Sequence, residues 1–207
     1  MSDPRDTICS LCRLAYANNW MPGTGGGIGI CDGHTAYISP SGIEKELTTK
    51  DQIVAYDMNN DTYECGGGGL RPSACTPLFL ELFRRQDMDI GCVIHTHSLN
   101  AVLCSMMYDA EFSISNMEQI KALPSGEGRN LRNVETLRIP IIENAPEEQD
   151  LMPELKRIIS EYPAACAVLV RRHGLFVWGA TAKKAKIYVE SIDYLMEAAV
   201  KMRGLAL

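Results

Sequence analysis

Gly91-Cys92-Val93-Ile94-His95-Thr96-His97-Ser98 is a short apolar run that ends in two histidines spaced two residues apart. Val93 and Ile94 are β-branched, a glycine bounds the run, and its length is that of a buried strand. Successive side chains on a strand point to opposite faces, so His95 and His97 share one face and can grip one ion. Ser98 then caps a helix running through Ala101, Val102, Leu103 and Met106, which puts the histidine pair where a strand feeds a helix. A further histidine sits in Arg171-Arg172-His173-Gly174, between the apolar runs Cys166 to Val170 and Leu175 to Trp178, so three of the four histidines in the chain end or link strands. Three neutral imidazoles around a divalent ion leave one position open, the arrangement of catalytic rather than structural zinc. The same set also accepts iron, cobalt, nickel or manganese. His34, in Cys31-Asp32-Gly33-His34, reads as an ordinary turn residue.

The surrounding elements are mixed. Asp6 to Asn19 has its apolar residues at helical spacing and stops before Met21-Pro22-Gly23. Gly23 to Ile30 and Thr35 to Ile38 read as strands, Ser39-Pro40-Ser41-Gly42 as a turn, Ile53 to Met58 as a strand and Gly66 to Gly69 as a flexible loop. Thr76 to Arg85 is helical, with Pro77 in its first turn. Arg138 to Ile142 is a strand, Ala145-Pro146-Glu147-Glu148 opens an acidic-headed helical region, and Thr181 to Met202 is a long closing helix. Adjacent strands in hairpin order, interleaved with helices, predict a single α/β domain over residues 1–207. Its layered sheet is substantially antiparallel. The glycine cluster fits neither G-x-G-x-x-G nor a P-loop, so it is not a nucleotide motif.

A net charge of −6 with no dominant Lys/Arg cluster argues against nucleic acid. No run approaches the roughly 20 apolar residues of a membrane span, and the start has no apolar leader core, which predicts a cytoplasmic protein. Several of the eight cysteines, among them Cys92, Cys104 and Cys166, lie in apolar stretches and read as reduced, small hydrophobes. Cys9-x-x-Cys12 has no second pair, so it reads as part of a helix rather than a zinc knuckle. Lys45 is expected to lie in solvent, the alternative being that it adds charge at an anion site.

Gly23-Thr24-Gly25-Gly26-Gly27, Ser39-Pro40-Ser41-Gly42, Cys75-Thr76-Pro77-Leu78-Phe79, Val93 to Ser98, Pro140 to Asn144 with Pro146-Glu147-Glu148, and Cys166 to Gly174 form an ordered set. The set resembles the methylthioribulose-1-phosphate dehydratase family, the methionine-salvage branch of the class II aldolase/adducin superfamily. The likeness runs from the first helix to the last and implies a layered α/β/α class II aldolase-like fold with a mainly antiparallel central sheet. It implies a zinc lyase, one ion per subunit on His95, His97 and His173, that dehydrates 5-methylthioribulose 1-phosphate to a 2,3-diketo-5-methylthiopentyl 1-phosphate. The chemistry agrees: removing the C3 proton beside a ketone builds an enediolate, whose charge a cation can stabilise.

The resemblance also assigns roles. Glu118 matches the family's acid/base glutamate, although by itself Ser115-x-x-Glu118 reads as a capping box opening a helix. Cys75 stands where sugar-phosphate aldolases of the superfamily have an acid/base glutamate, and the dehydratases place a substrate-contacting cysteine there. From the residue alone, a buried apolar filler is an equal reading. Gly26, Gly27, Ser41, Gly42 and Ser73 correspond to the phosphate site, where glycine amides can nest an anion. A homotetramer with sites near subunit interfaces is a further implication. The alternatives are a class II sugar-phosphate aldolase or pentulose-phosphate epimerase, and a non-catalytic adducin-like interaction module.

Overall fold

The computed structural model describes residues 3–66, 69–85 and 87–205. In chain order the described elements are α1 (Pro4–Ala17), β1 (Gly27–Asp32), β2 (Thr35–Ile38), β3 (Val54–Asp57), β4 (Thr62–Glu64), α2 (Thr76–Phe83), β5 (Cys92–Thr96) and α3 (Leu99–Met107). They continue with β6 (Glu111–Ile114), β7 (Leu137–Ile142), α4 (Met152–Glu161), β8 (Ala167–Val170), β9 (Gly174–Gly179) and α5 (Ala182–Gly204). The strands form one nine-stranded sheet ordered β4-β3-β2-β1-β5-β9-β8-β7-β6. Its neighbours run antiparallel except for the parallel pair β7 and β8.

β5 lies at the centre of this sheet and is buried at every position. Its alternation divides the core: Cys92 and Ile94 join the apolar layer shared with residues of α1, α3 and α5. Val93 joins the layer shared with α2 and α4. Burying a Val or Ile contributes about 1.5–3 kcal/mol, whereas the whole intrinsic strand-propensity scale spans about 1 kcal/mol, so packing on both faces holds β5 in register. Among the described residues no helix is long and apolar enough to cross a membrane. All eight cysteines are free, and His34 is exposed in the turn between β1 and β2.

Local sequence explains most boundaries. α1 starts earlier than predicted because the Asp3 side chain accepts the Arg5 N–H at 2.9 Å and Pro4 suits the first turn. Thr181 caps α5 by accepting the Lys184 N–H at 3.2 Å. Three expectations are overturned. Ser98 precedes α3 but does not cap it, because its hydroxyl donates to Asp193 on α5. The Ser115/Glu118 capping box does not form: Asn116 turns the chain at φ 58°, and a short 3-10 helix, Glu118–Ala122, follows Met117 without a side-chain cap. Lys45 is 1% exposed, because the 3-10 turn it opens packs under α1 and its ammonium is drawn to backbone carbonyls. β4 and β6, the two edge strands, had no reading in the sequence; each is short and held by one neighbour. Of the predicted Gly66 to Gly69 loop, Gly67 and Gly68 lie outside the described residues.

Candidate active site

His95, at the end of β5, lies opposite Phe176 of β9 in the antiparallel register, and the two rings stack at 3.9 Å. His97 leaves the strand one residue later, held by its N–H to the Trp20 carbonyl at 2.7 Å. His173 comes from the hairpin between β8 and β9. That hairpin is pinned by Arg171, whose guanidinium donates to the carbonyls of Ser105, Tyr108 and Asp109 and pairs with Glu143. Arg172 adopts φ 57°, a left-handed conformation that non-glycine residues rarely take, and its N–H is fixed by the Ser105 hydroxyl at 2.9 Å. The strained turn aims His173 back over the sheet.

The three Nε2 atoms form a triangle with sides of 3.1, 3.1 and 3.3 Å. A tetrahedral ion with nitrogen bonds of about 2.0–2.1 Å has ligand-to-ligand edges of about 3.3–3.4 Å, so the triangle fits three of four ligands. Two of the three far ring nitrogens are tied down as a metal site requires: His95 Nδ1 lies 3.2 Å from the Leu175 carbonyl and His173 Nδ1 3.1 Å from Asn144 Oδ1. Those contacts place the ring proton on Nδ1 and leave Nε2 as a lone pair. Burial, with the neighbouring rings adding to it, holds His95 well below the ordinary imidazole range and His97 at about 4; burial also lowers His173. All three are therefore neutral at pH 7, the form that binds a cation.

Glu148 closes the cluster. Its Oε1 is 4.0 Å from His95 Nε2, and the four ligand atoms lie within 4.8 Å of one another. Its Oε2 is buried with no hydrogen-bond partner, and burial pushes the carboxyl above the usual carboxylate range. A buried oxygen without a donor calls for a cation or a ligand proton, so this donor set suits a divalent metal ion. The sequence reading took Glu148 as part of an acidic helix head. In fact a short 3-10 turn, Glu148–Leu151, precedes α4 and delivers the carboxylate inward, and nothing in the local spacing signalled that direction.

The substrate-binding candidates come together on the side of this cluster toward β1. Cys75, at the head of α2, is fully buried with Sγ 3.1 Å from Ser73 Oγ. Burial foremost, then the Glu148 charge, pushes its thiol up, so it is a neutral thiol rather than a thiolate. Glycine at position 27 lets β1 lie close against the thiol: a Cβ there would sit 2.8 Å from Cys75 Sγ and force one of the two to shift. Gly26 takes φ +71°, and a Cβ would meet the His95 carbonyl at 2.6 Å. A bridge between Pro40 and Pro72, with the Ser41 N–H donating to the Arg71 carbonyl at 3.0 Å, sets Ser41 and Gly42 alongside Ser73. Glu118 does not join the histidines. It heads the 3-10 helix that packs on α5, is largely exposed, and pairs with Lys121 at 2.5 Å.

A model of the class II aldolase and adducin N-terminal domain matches residues 6–200. The chain belongs to the class II aldolase and adducin family. Within it, the chain groups with the methylthioribulose-1-phosphate dehydratases. It is 68% identical over 205 residues to the enzyme of that name from Kluyveromyces lactis, covering 99% of each chain. It is 49% identical to the one from Komagataella phaffii, over 99% of this chain and 85% of the relative. Among solved structures it superposes on an L-fuculose 1-phosphate aldolase with a TM-score of 0.79 at 19% identity, covering 100% of this chain and 89% of the other. The L-fuculose-1-phosphate aldolase of Thermus thermophilus gives 0.75 at 14% identity, over 98% and 95%. At these identities the likeness is one of fold.

Proposed function

We propose that this class II aldolase family member is a metal-dependent lyase that removes water from 5-methylthioribulose 1-phosphate, giving 2,3-diketo-5-methylthiopentyl 1-phosphate in methionine salvage. The observation that carries the reading is the convergence of His95, His97 and His173 in a chain that matches the Kluyveromyces lactis dehydratase end to end. Zinc is the ion we assign, one per subunit, held by the three imidazoles. When bound, it supplies positive charge beside the C2 oxygen as the enediolate develops.

The chain's own groups supply the rest. Gly26 and Gly27, through their amides, with Ser41, Gly42 and Ser73, bind the phosphate and fix C1 of the ketose. Cys75, neutral and dry, lines the pocket between that phosphate and the histidines. Glu118 stands apart from the histidines of its own chain, so its role is assigned through the assembly. The Glu118 carboxylate of a neighbouring subunit accepts the proton from C3 and returns one to the C4 hydroxyl as it departs as water, and the resulting enol tautomerises to the diketone. Glu148, with one oxygen free of protein donors, orients whatever occupies the open side of the cluster. A buried thiol in place of an acid/base carboxylate at position 75 supports dehydration over carbon–carbon cleavage. We assign it the homotetramer with sites near subunit contacts that the resemblance implies; exposed Leu99 and Tyr194, next in sequence to the linked Ser98 and Asp193, offer apolar surface for such a contact. Eight free cysteines fit the reducing cytoplasm we assign it.

The test is product analysis with metal-replete protein. Dehydration yields the diketone and no dihydroxyacetone phosphate, whereas release of dihydroxyacetone phosphate would mean cleavage between C3 and C4 and reject the reading. Turnover of fuculose or ribulose phosphates at comparable efficiency would favour the aldolase or epimerase alternative.

A further inference from the structure

Lys45 is among the largest fully buried side chains of the molecule, at 1% exposure. Its ammonium donates to the Thr24 carbonyl at 2.9 Å and the Ile43 carbonyl at 3.2 Å. Among the described residues no carboxylate lies within ion-pairing distance of it, and Glu46 acts on it only at longer range. A buried charge without a counter-ion is costly to maintain and strongly felt by its neighbours, because the interior screens it poorly. Those neighbours are the site: its charge opposes protonation of His95 and His97 and favours the charged form of Cys75.

The two carbonyls come from different segments. Thr24 belongs to the glycine loop that carries Gly26 and Gly27, and Ile43 follows the turn that carries Ser41 and Gly42. One ammonium therefore ties together the two segments that form the phosphate pocket, from behind. We propose that Lys45 is the buried counter-charge of that pocket, a positioning residue that joins its two walls and whose positive charge the phosphate monoester of the substrate neutralises across the glycine loop. The proposal rests on the phosphate-binding reading above. It explains how segments built from glycine and serine hold a dianion; the exposed Arg71, two residues before Ser73 in the chain, is the comparison cation.

Inorganic phosphate, titrated calorimetrically into metal-loaded protein, tests it without turnover. Lys45→Gln keeps a donor for the carbonyls and removes the charge, while Lys45→Met removes both; Arg71→Gln is the comparison. Lys45→Gln is expected to weaken phosphate binding about tenfold and raise KM for the phosphorylated ketose by a similar factor. Metal content is expected to be unchanged and kcat to stay within about twofold, since the lost interaction is the same in ground and transition states. Phosphate affinity within about twofold of wild type in folded Lys45→Gln, or a loss confined to Arg71→Gln, overturns the proposal. Should neither lysine variant fold, the wild type decides: the Lys45 Nζ resonance of lysine-labelled protein must shift on adding phosphate, and no shift overturns it. A metal-replete wild type that binds phosphate but does not turn over the ketose would reject the dehydratase reading and leave this inference standing.

Discussion

Gly27→Ala puts one methyl group into the tightest junction of the site. The new Cβ would lie 2.8 Å from Cys75 Sγ, 3.3 Å from Ser73 Oγ and 3.5 Å from Ser39 Oγ. Attractive contact between such atoms begins near 3.5–4.0 Å, so the sulfur or the strand has to move by about 1 Å. Neither yields easily. Cys75 is fully buried and engaged with Ser73, and Gly27 is paired to His95 across β1 and β5, so a retreating strand carries the metal cluster with it. Overpacking of this kind costs about 1–3 kcal/mol. Urea unfolding of the metal-free protein measures that loss, and phosphate and metal affinities report whether the strand or the thiol gave way. Cys75→Ala vacates the space the methyl needs, so the double variant is expected to be more stable than the sum of the singles by about 1–2 kcal/mol. Strict additivity, or a Gly27→Ala protein within about 0.5 kcal/mol of wild type with unchanged affinities, refutes the packing argument.

Two further outcomes follow from the electrostatics. His97 has its folded pKa depressed to about 4 from an unfolded value of about 6.5, so its contribution to metal-free stability is full above about pH 6.5 and is lost as pH falls toward about 4. For this half-buried ring the loss is on the order of 2–3 kcal/mol by chemical unfolding across that window; flat stability from pH 7 to 4 would contradict the neutral-imidazole assignment. Glu148→Leu removes a buried carboxylate oxygen that has no partner, and should stabilise the metal-free protein by about 1–3 kcal/mol while weakening metal retention in chelator competition. Unchanged metal affinity would remove Glu148 from the centre.

What could be read before the structure was whatever is written in local pattern. The apolar run ending at His95-Thr96-His97 announced a buried strand, and period-two geometry put both rings on one face; their Nε2 atoms meet at 3.1 Å. His173 could be paired with them only by its position in a second strand-to-strand link. Glu148 could not be found this way, because its direction is set by how a one-turn 3-10 segment packs, a tertiary fact. Lys45 was misjudged for a related reason: lysine's hydrophilicity was decisive in the absence of any sign that two carbonyls converge behind a glycine loop. Ser98 and Glu118 show the same limit in capping, since a hydroxyl or carboxylate at the right spacing goes to the better partner, and α5 offered Ser98 an aspartate. The edge strands were silent for different reasons: β4 is three exposed residues, Thr62–Glu64, with no apolar alternation, whereas β6 does alternate, with Phe112 and Ile114 buried, but over only four residues.

The central claim, metal-centred dehydration with Glu118 moving the protons, is tested most directly by measuring metal content and ketose turnover on the same preparations of wild type and Glu118→Gln. The account predicts equal metal occupancy in both and a loss of turnover of about 10²-fold or more in the variant. Glu118→Gln that dehydrates the ketose at the wild-type rate would contradict it.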